Sequence, residues 1–356
     1  MSVNPVTLIQ LMMNYSTLYN EDAPRVFSFQ RNNLMHMHKE TEEEVRKRKS
    51  RLSASTRSTA FNALMNTLDE QLKGRVGKVW VDPKLYRVAI PLETATGNAG
   101  FGVLPTGSRI QIPEGKFIRA FTYWKRVNDI DLSCFGLTED GRQEEFSWRN
   151  MWNKQGLDIT YSGDQTSGYE GGSEYFDINI DLFKKNHPDT RFVVFCDNVY
   201  SNIDFSECDC TAGFMMRAEN PVDIPWWIGE LNERPLDLRP VFDPGTVETS
   251  YRVNAKTTFA YLFAIDLQDR EMIWLNIGRS ERQTVAGMTD MSWLKKYLYM
   301  GNVFNLAFLM QIAGEVVDAP EKADLLVTDT DIPGRTTHAD VIHSWDTEKI
   351  VKLIAK

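Results

Sequence analysis

The chain has 356 residues, 42% hydrophobic and 25% charged, the balance of a globular protein rather than a disordered or fibrous one. A formal charge of −9 argues against a general affinity for nucleic acid or anionic membranes and leaves divalent cations as the natural charged partners. Four scattered cysteines, Cys134, Cys196, Cys208 and Cys210, provide no zinc framework, so a reduced, cytoplasmic chain is expected.

The N-terminus lacks the basic start and small-residue cleavage site of a signal peptide. Residues 1–75 read as a helical arm. Val6–Tyr19 carries apolar residues at helical spacing, and Glu42, Glu43 and Glu44 each face a base four residues on. The basic run Arg46–Arg51 reads as a self-paired, solvated face of that helix. His36 and His38 fall in the same helical reading. Ala54–Leu72 forms a further helix with Phe61, Leu64, Met65, Leu68 and Leu72 on one side. The arm offers a surface for docking on another protein or for oligomerisation.

At Gly74 the period changes. Short β-rich runs around Asp82–Pro83 lead into a glycine-rich loop at Gly97, Gly100 and Gly102. From Phe117 to Ile277 successive runs alternate with turns, which predicts an antiparallel β-sandwich rather than βαβ units. Pro221–Pro244, with Trp226 and Trp227, reads as a long excursion over it. Helix returns from Trp293 to Ala313; its apolar stretch is shorter than the roughly 20 residues of a membrane span. A strand (ADLLVTD) and a last helix follow. The expected division is a helical arm over 1–75, a β-sandwich with a preceding β-rich segment over 76–280, and a C-terminal helix with a small α/β segment over 281–356.

Two acidic segments hold the candidate chemistry. Asp129 and Asp131 are two apart, so in extended chain both carboxylates project to one side while Ile130 and Leu132 project to the other. The second segment runs from Ser162 to Glu174 and supplies Asp164, Glu170 and Glu174 among glycines that allow tight turns. Calcium takes 6–8 oxygens in irregular geometry, which two such loops at one sandwich end can provide. The same residues are ordinary turn formers, and composition alone leaves both readings open. Asp177, Asn179 and Asp181 read as a solvated strand face.

Asp129-Ile130-Asp131-Leu132-Ser133, then Ser162-Gly163-Asp164-Gln165-Thr166-Ser167-Gly168, then Gly171-Gly172-Ser173-Glu174 resemble the motifs of the TerD family of stress-response domains in order and spacing. Segments Lys78–Leu85, Leu104–Arg109 and Ile118–Trp124 are similar to a longer branch of that family found in multidomain bacterial proteins. The resemblance covers roughly residues 75–280. It implies a TerD-like sandwich, no enzymatic activity, and calcium held by Asp129, Asp131, Asp164, Glu170 and Glu174. Two aspartates of the family pattern fall on Gly172 and Ser173, which implies one weaker site instead of two. The implied function is a binding or scaffold protein of a stress or defence assembly, responsive to calcium. The alternative is an assembly protein that keeps the sandwich without the metal. No G-x-S-x-G, P-loop or H-E-x-x-H motif points to an enzyme.

Overall fold

The computed structural model describes residues 3–15, 26–31, 34–49, 53–90, 104–138, 142–151, 158–201, 203–217, 247–279, 294, 298, 304–332 and 339–355. Trp226 and Trp227, the glycines of residues 97–102, and His338 lie outside them. In chain order come α1 (Pro5–Tyr15), β1 (Val26–Arg31), β2 (Leu34–Lys39), α2 (Glu42–Lys49), α3 (Ala54–Leu72), β3 (Lys78–Val81) and β4 (Arg109–Gln111). Then follow β5 (Phe117–Lys125), β6 (Ile130–Thr138), β7 (Gln143–Phe146), α4 (Trp148–Met151), β8 (Ile159–Tyr161), β9 (Gly172–Asn179), α5 (Ile180–Asn186) and β10 (Thr190–Val199). The last are β11 (Asp209–Arg217), β12 (Thr249–Val253), β13 (Phe259–Asp266), β14 (Glu271–Arg279), α6 (Leu306–Ala313), β15 (Glu315–Val316), β16 (Leu325–Val327), β17 (Asp340–Ile342) and α7 (Thr347–Ala355). The protein is mostly β, largely in antiparallel sheets, with some helices. None of the described helices is long and apolar enough to cross a membrane.

The expectation of helix throughout residues 1–75 needs correction at β1 and β2, and with it the helical setting of His36 and His38. The alternation in Leu-Met-His-Met-His-Lys has period two, and an Asn-Asn dipeptide separates the two runs, which is hairpin chemistry. The chain groups into two compact units, one of residues 1–30, 36–110 and 290–356 and one of residues 31–35 and 111–289. Segments that were read apart in sequence, the N-terminal helices, residues 76–110 and the C-terminal segment, thus share the first unit.

In the first unit a parallel sheet runs in the order β15-β3-β16-β17. Of its central strands, β16 is buried along its length at Leu325, Leu326 and Val327, as expected for a parallel strand covered on both faces, whereas β3 alternates, burying Val79 and Val81 and leaving Lys78 exposed. The chain enters β3 directly from α3, which starts where the Ser53 hydroxyl accepts the Thr56 N–H and which buries Leu68 and Leu72. Helix α1 packs on α3.

In the second unit one antiparallel sheet contains β14-β13-β10-β6-β7 and another β12-β11-β5-β9-β8. Side chains meet between them. The Thr122 hydroxyl of β5 donates to Asp197 of β10 at 2.7 Å, and the Phe176 and Phe195 rings lie 6.2 Å apart. Strand β9 ends at Asn179, whose side chain accepts the Leu182 N–H and so starts α5.

The solvated strand face expected at 177–181 is therefore corrected. Asp181 is helical and exposed, but Asp177 is buried, and Arg119 on β5 donates to both its oxygens at 2.8 and 2.6 Å. Direct register of Arg119 opposite Asp177 brings the charges together, and the guanidinium also lies 3.7 Å from the centre of the Tyr175 ring. Removing one partner of such a buried pair strands the other. Asp177→Ala should cost about 3–5 kcal/mol in urea unfolding, and Arg119→Met with Asp177→Leu should recover most of it. A loss in the double variant equal to the sum of the losses of Arg119→Met and Asp177→Leu measured singly would show that the charges are not coupled.

Candidate metal centre

Asp129 immediately precedes β6 and Asp131 is its second residue; Asp164 lies in the loop between β8 and β9. Backbone hydrogen bonds stitch this loop to the chain entering β6: Gly168 N–H donates to the Asn128 carbonyl at 2.6 Å and Arg126 N–H to the Tyr169 carbonyl at 2.8 Å. Gly163, at φ 93°, makes the turn just before Asp164 in a conformation suited to glycine. One ligand atom each from Asp129, Asp131 and Asp164 lies within 4.8 Å of the others.

Such proximity is electrostatically costly. Burial, then Asp131 and Asp164, push the Asp129 carboxyl up to about 7. Burial also raises Asp131, to about 6; the Asn198 amide, donating to it at 3.1 Å, offsets part of this, and Asp164 adds to the rise. Asp129 has an oxygen buried without a hydrogen-bond partner. An all-carboxylate donor set suits a hard cation such as calcium, magnesium or manganese, not a soft metal. The triad can hold such an ion.

The other two expected ligands are not members of this cluster. Glu170 is exposed and outside the triad. Glu174 is fully buried with its oxygens already engaged: one accepts the Gln165 N–H at 2.9 Å, the other the Leu132 N–H at 2.8 Å and the Tyr161 hydroxyl at 2.6 Å. The Gln165 side-chain carbonyl accepts the Ser173 N–H at 2.9 Å.

Gly172 has a packing reason. A Cβ built on it would lie 2.4 Å from the Trp124 ring, so the indole occupies the space that an aspartate side chain needs.

Sequence reasoning missed Asn198, Tyr161 and Asp197. No motif marks them: Asp197 and Asn198 arrive on β10, and Tyr161 ends β8 just before the second acidic segment without belonging to it. Asp197 is buried with one oxygen accepting from Thr122 and the other without a partner. Burial pushes its carboxyl up to about 8, which favours the protonated form at neutral pH. Cys210, whose Sγ is 3.9 Å from Asp197, and Cys134, Cys196 and Cys208 are all free and buried. Burial raises all four thiols, the reverse of a reactive cysteine.

No protein-family model, curated protein sequence or solved structure matches the chain.

Two outcomes are expected. Asp129 and Asp131 titrate higher when folded than the roughly 3.9 of an unfolded aspartate, so the folded state binds more protons and their contribution to stability is lost as pH rises through about 6 to 7. In chelator, the melting temperature of the native sequence should fall between pH 5 and 8 more steeply than that of Asp129→Asn/Asp131→Asn; parallel curves would contradict the shifts. Gly172→Asp should not create a ligand. It should lower stability by about 1–3 kcal/mol through overpacking against Trp124, with no gain in calcium affinity by titration calorimetry.

Proposed function

We propose that the second unit is a TerD-like β-sandwich acting as a non-catalytic, calcium-responsive binding module, a scaffold component of a stress-response or defence assembly. One observation carries the reading: Asp129, Asp131 and Asp164, from two separate motifs, bring ligand atoms within 4.8 Å of one another. The order of the DIDLS, SGDQTSG and GGSE segments and the two facing antiparallel sheets support the family part of it.

Calcium is favoured over magnesium because three carboxylates on a strand and a loop form an irregular donor set, and magnesium demands near-ideal octahedral geometry. The site is a weak one. Three side chains fall short of the 6–8 oxygens calcium takes, and backbone carbonyls or water must complete the shell. The second reading, an assembly protein without metal, draws on Glu174 and Trp124, which hold the loop by hydrogen bonding and packing alone.

Thermal unfolding with calcium separates the two readings. A ligand of the native state stabilises by about 2.7 kcal/mol at a concentration one hundred times its Kd. Millimolar calcium should raise the melting temperature at pH 7.5, and Asp131→Asn should abolish the rise. A melting temperature indifferent to calcium favours the assembly reading.

A further inference from the structure

We infer that Glu174 is a positioning residue of the cation site: one buried carboxylate that fastens together the two pieces of chain bearing the ligands. The inference rests on the metal-binding reading above and assigns Glu174 a role other than ligation.

Both backbone amides that Glu174 holds directly follow a ligand. Leu132 follows Asp131 on β6, and Gln165 follows Asp164 in the β8–β9 loop. These belong to different sheets, so their separation is not set by any strand ladder. Strand β7 pairs with β6 only from Cys134 to Leu137, which leaves the Leu132 amide beyond its reach. The Glu174 oxygen takes that amide and shares itself with the Tyr161 hydroxyl of β8. Glu174 itself is anchored in β9, opposite Thr122 of β5. Strand β6, strand β8, the ligand loop and strand β9 thus converge on one side chain.

Three donors occupy most of the lone pairs of the two oxygens, and the residue is fully buried. A cation drawing on Glu174 would have to take it from those donors. Holding Asp131 and Asp164 at fixed separation, by contrast, keeps mutually repelling carboxylates near the geometry that a cation requires. Outer residues of this kind typically change metal affinity by about 10–100-fold when altered.

The test is calcium titration calorimetry on the full chain at pH 7.5, with melting temperature in chelator measured in parallel. Glu174→Gln presents an NH₂ to one of the two backbone amides whichever way it is turned, so the clamp opens. Glu174→Asp keeps the charge but is one methylene too short to span both. Both variants should bind calcium about 10–100-fold more weakly. Val193→Ala, in the core of β10, is the control for lost stability and should bind as the native sequence does.

If Glu174→Asp restores native affinity, charge rather than position is responsible and the inference fails. It also fails if the Glu174 variants lose no more affinity than Val193→Ala. If Glu174→Gln does not fold, Tyr161→Phe, which removes one donor and no charge, should weaken calcium binding by a smaller but measurable factor; unchanged binding overturns the inference. If the native protein binds no calcium, the metal-binding reading itself falls, an outcome distinct from selective failure of the Glu174 variants.

Discussion

Mutual repulsion among Asp129, Asp131 and Asp164 is the constraint around which one end of the second unit is arranged. With ligand atoms within 4.8 Å, the three carboxylates would separate if the chain allowed it. The chain does not. Asn198 donates to Asp131, the loop amide of Gly168 is tied to Asn128, and Glu174 grips the residues following Asp131 and Asp164. Arg126, three residues before Asp129, pairs with Asp209. The fold thus holds the charges together by hydrogen bonds to their surroundings. What remains is a cost of burial and, after it, of repulsion that either protons or a divalent cation can relieve, and both raise the carboxyls of Asp129 and Asp131.

Much of the second unit was legible in sequence because its strands carry their own pattern. The spacing of Asp129 and Asp131, and the glycine-flanked Asp164, picked out the three residues that meet. Glu170 and Glu174 were read as equals of these because a sequence does not show depth. A carboxylate in a motif looks the same whether it faces solvent, as Glu170 does, or is enclosed by Leu132, Tyr161 and Gln165, as Glu174 is. Gly172 shows the converse. Read alone it is a lost ligand; beside Trp124 it is the residue whose missing side chain lets the indole pack. The first unit was less legible because its sheet is assembled from distant pieces, β3 pairing with β15 and β16 more than two hundred residues away. No local periodicity reports such a partnership, whereas the β1–β2 alternation was local and was outweighed by the helical segments on either side.

Buried acidic residues in the second unit show three ways of managing one cost. Asp177 is neutralised by a cation of the chain itself, placed opposite it by strand register. Asp197 has no such cation beside it; burial favours its protonated form, one oxygen accepts from Thr122 and the other is without a partner. The triad follows neither course. Asp129 and Asp164 are only half-buried and Asp131 is buried at the start of β6, and burial together with the neighbouring carboxylates raises Asp129 to about 7 and Asp131 to about 6. A structural role alone is served by the first two arrangements, since each answers the cost of burial with a group or a proton that the folded state already holds. The third leaves it dependent on what the solvent supplies. That dependence, more than the number of carboxylates, distinguishes the triad from Asp177 and Asp197 and is what lets it hold a cation.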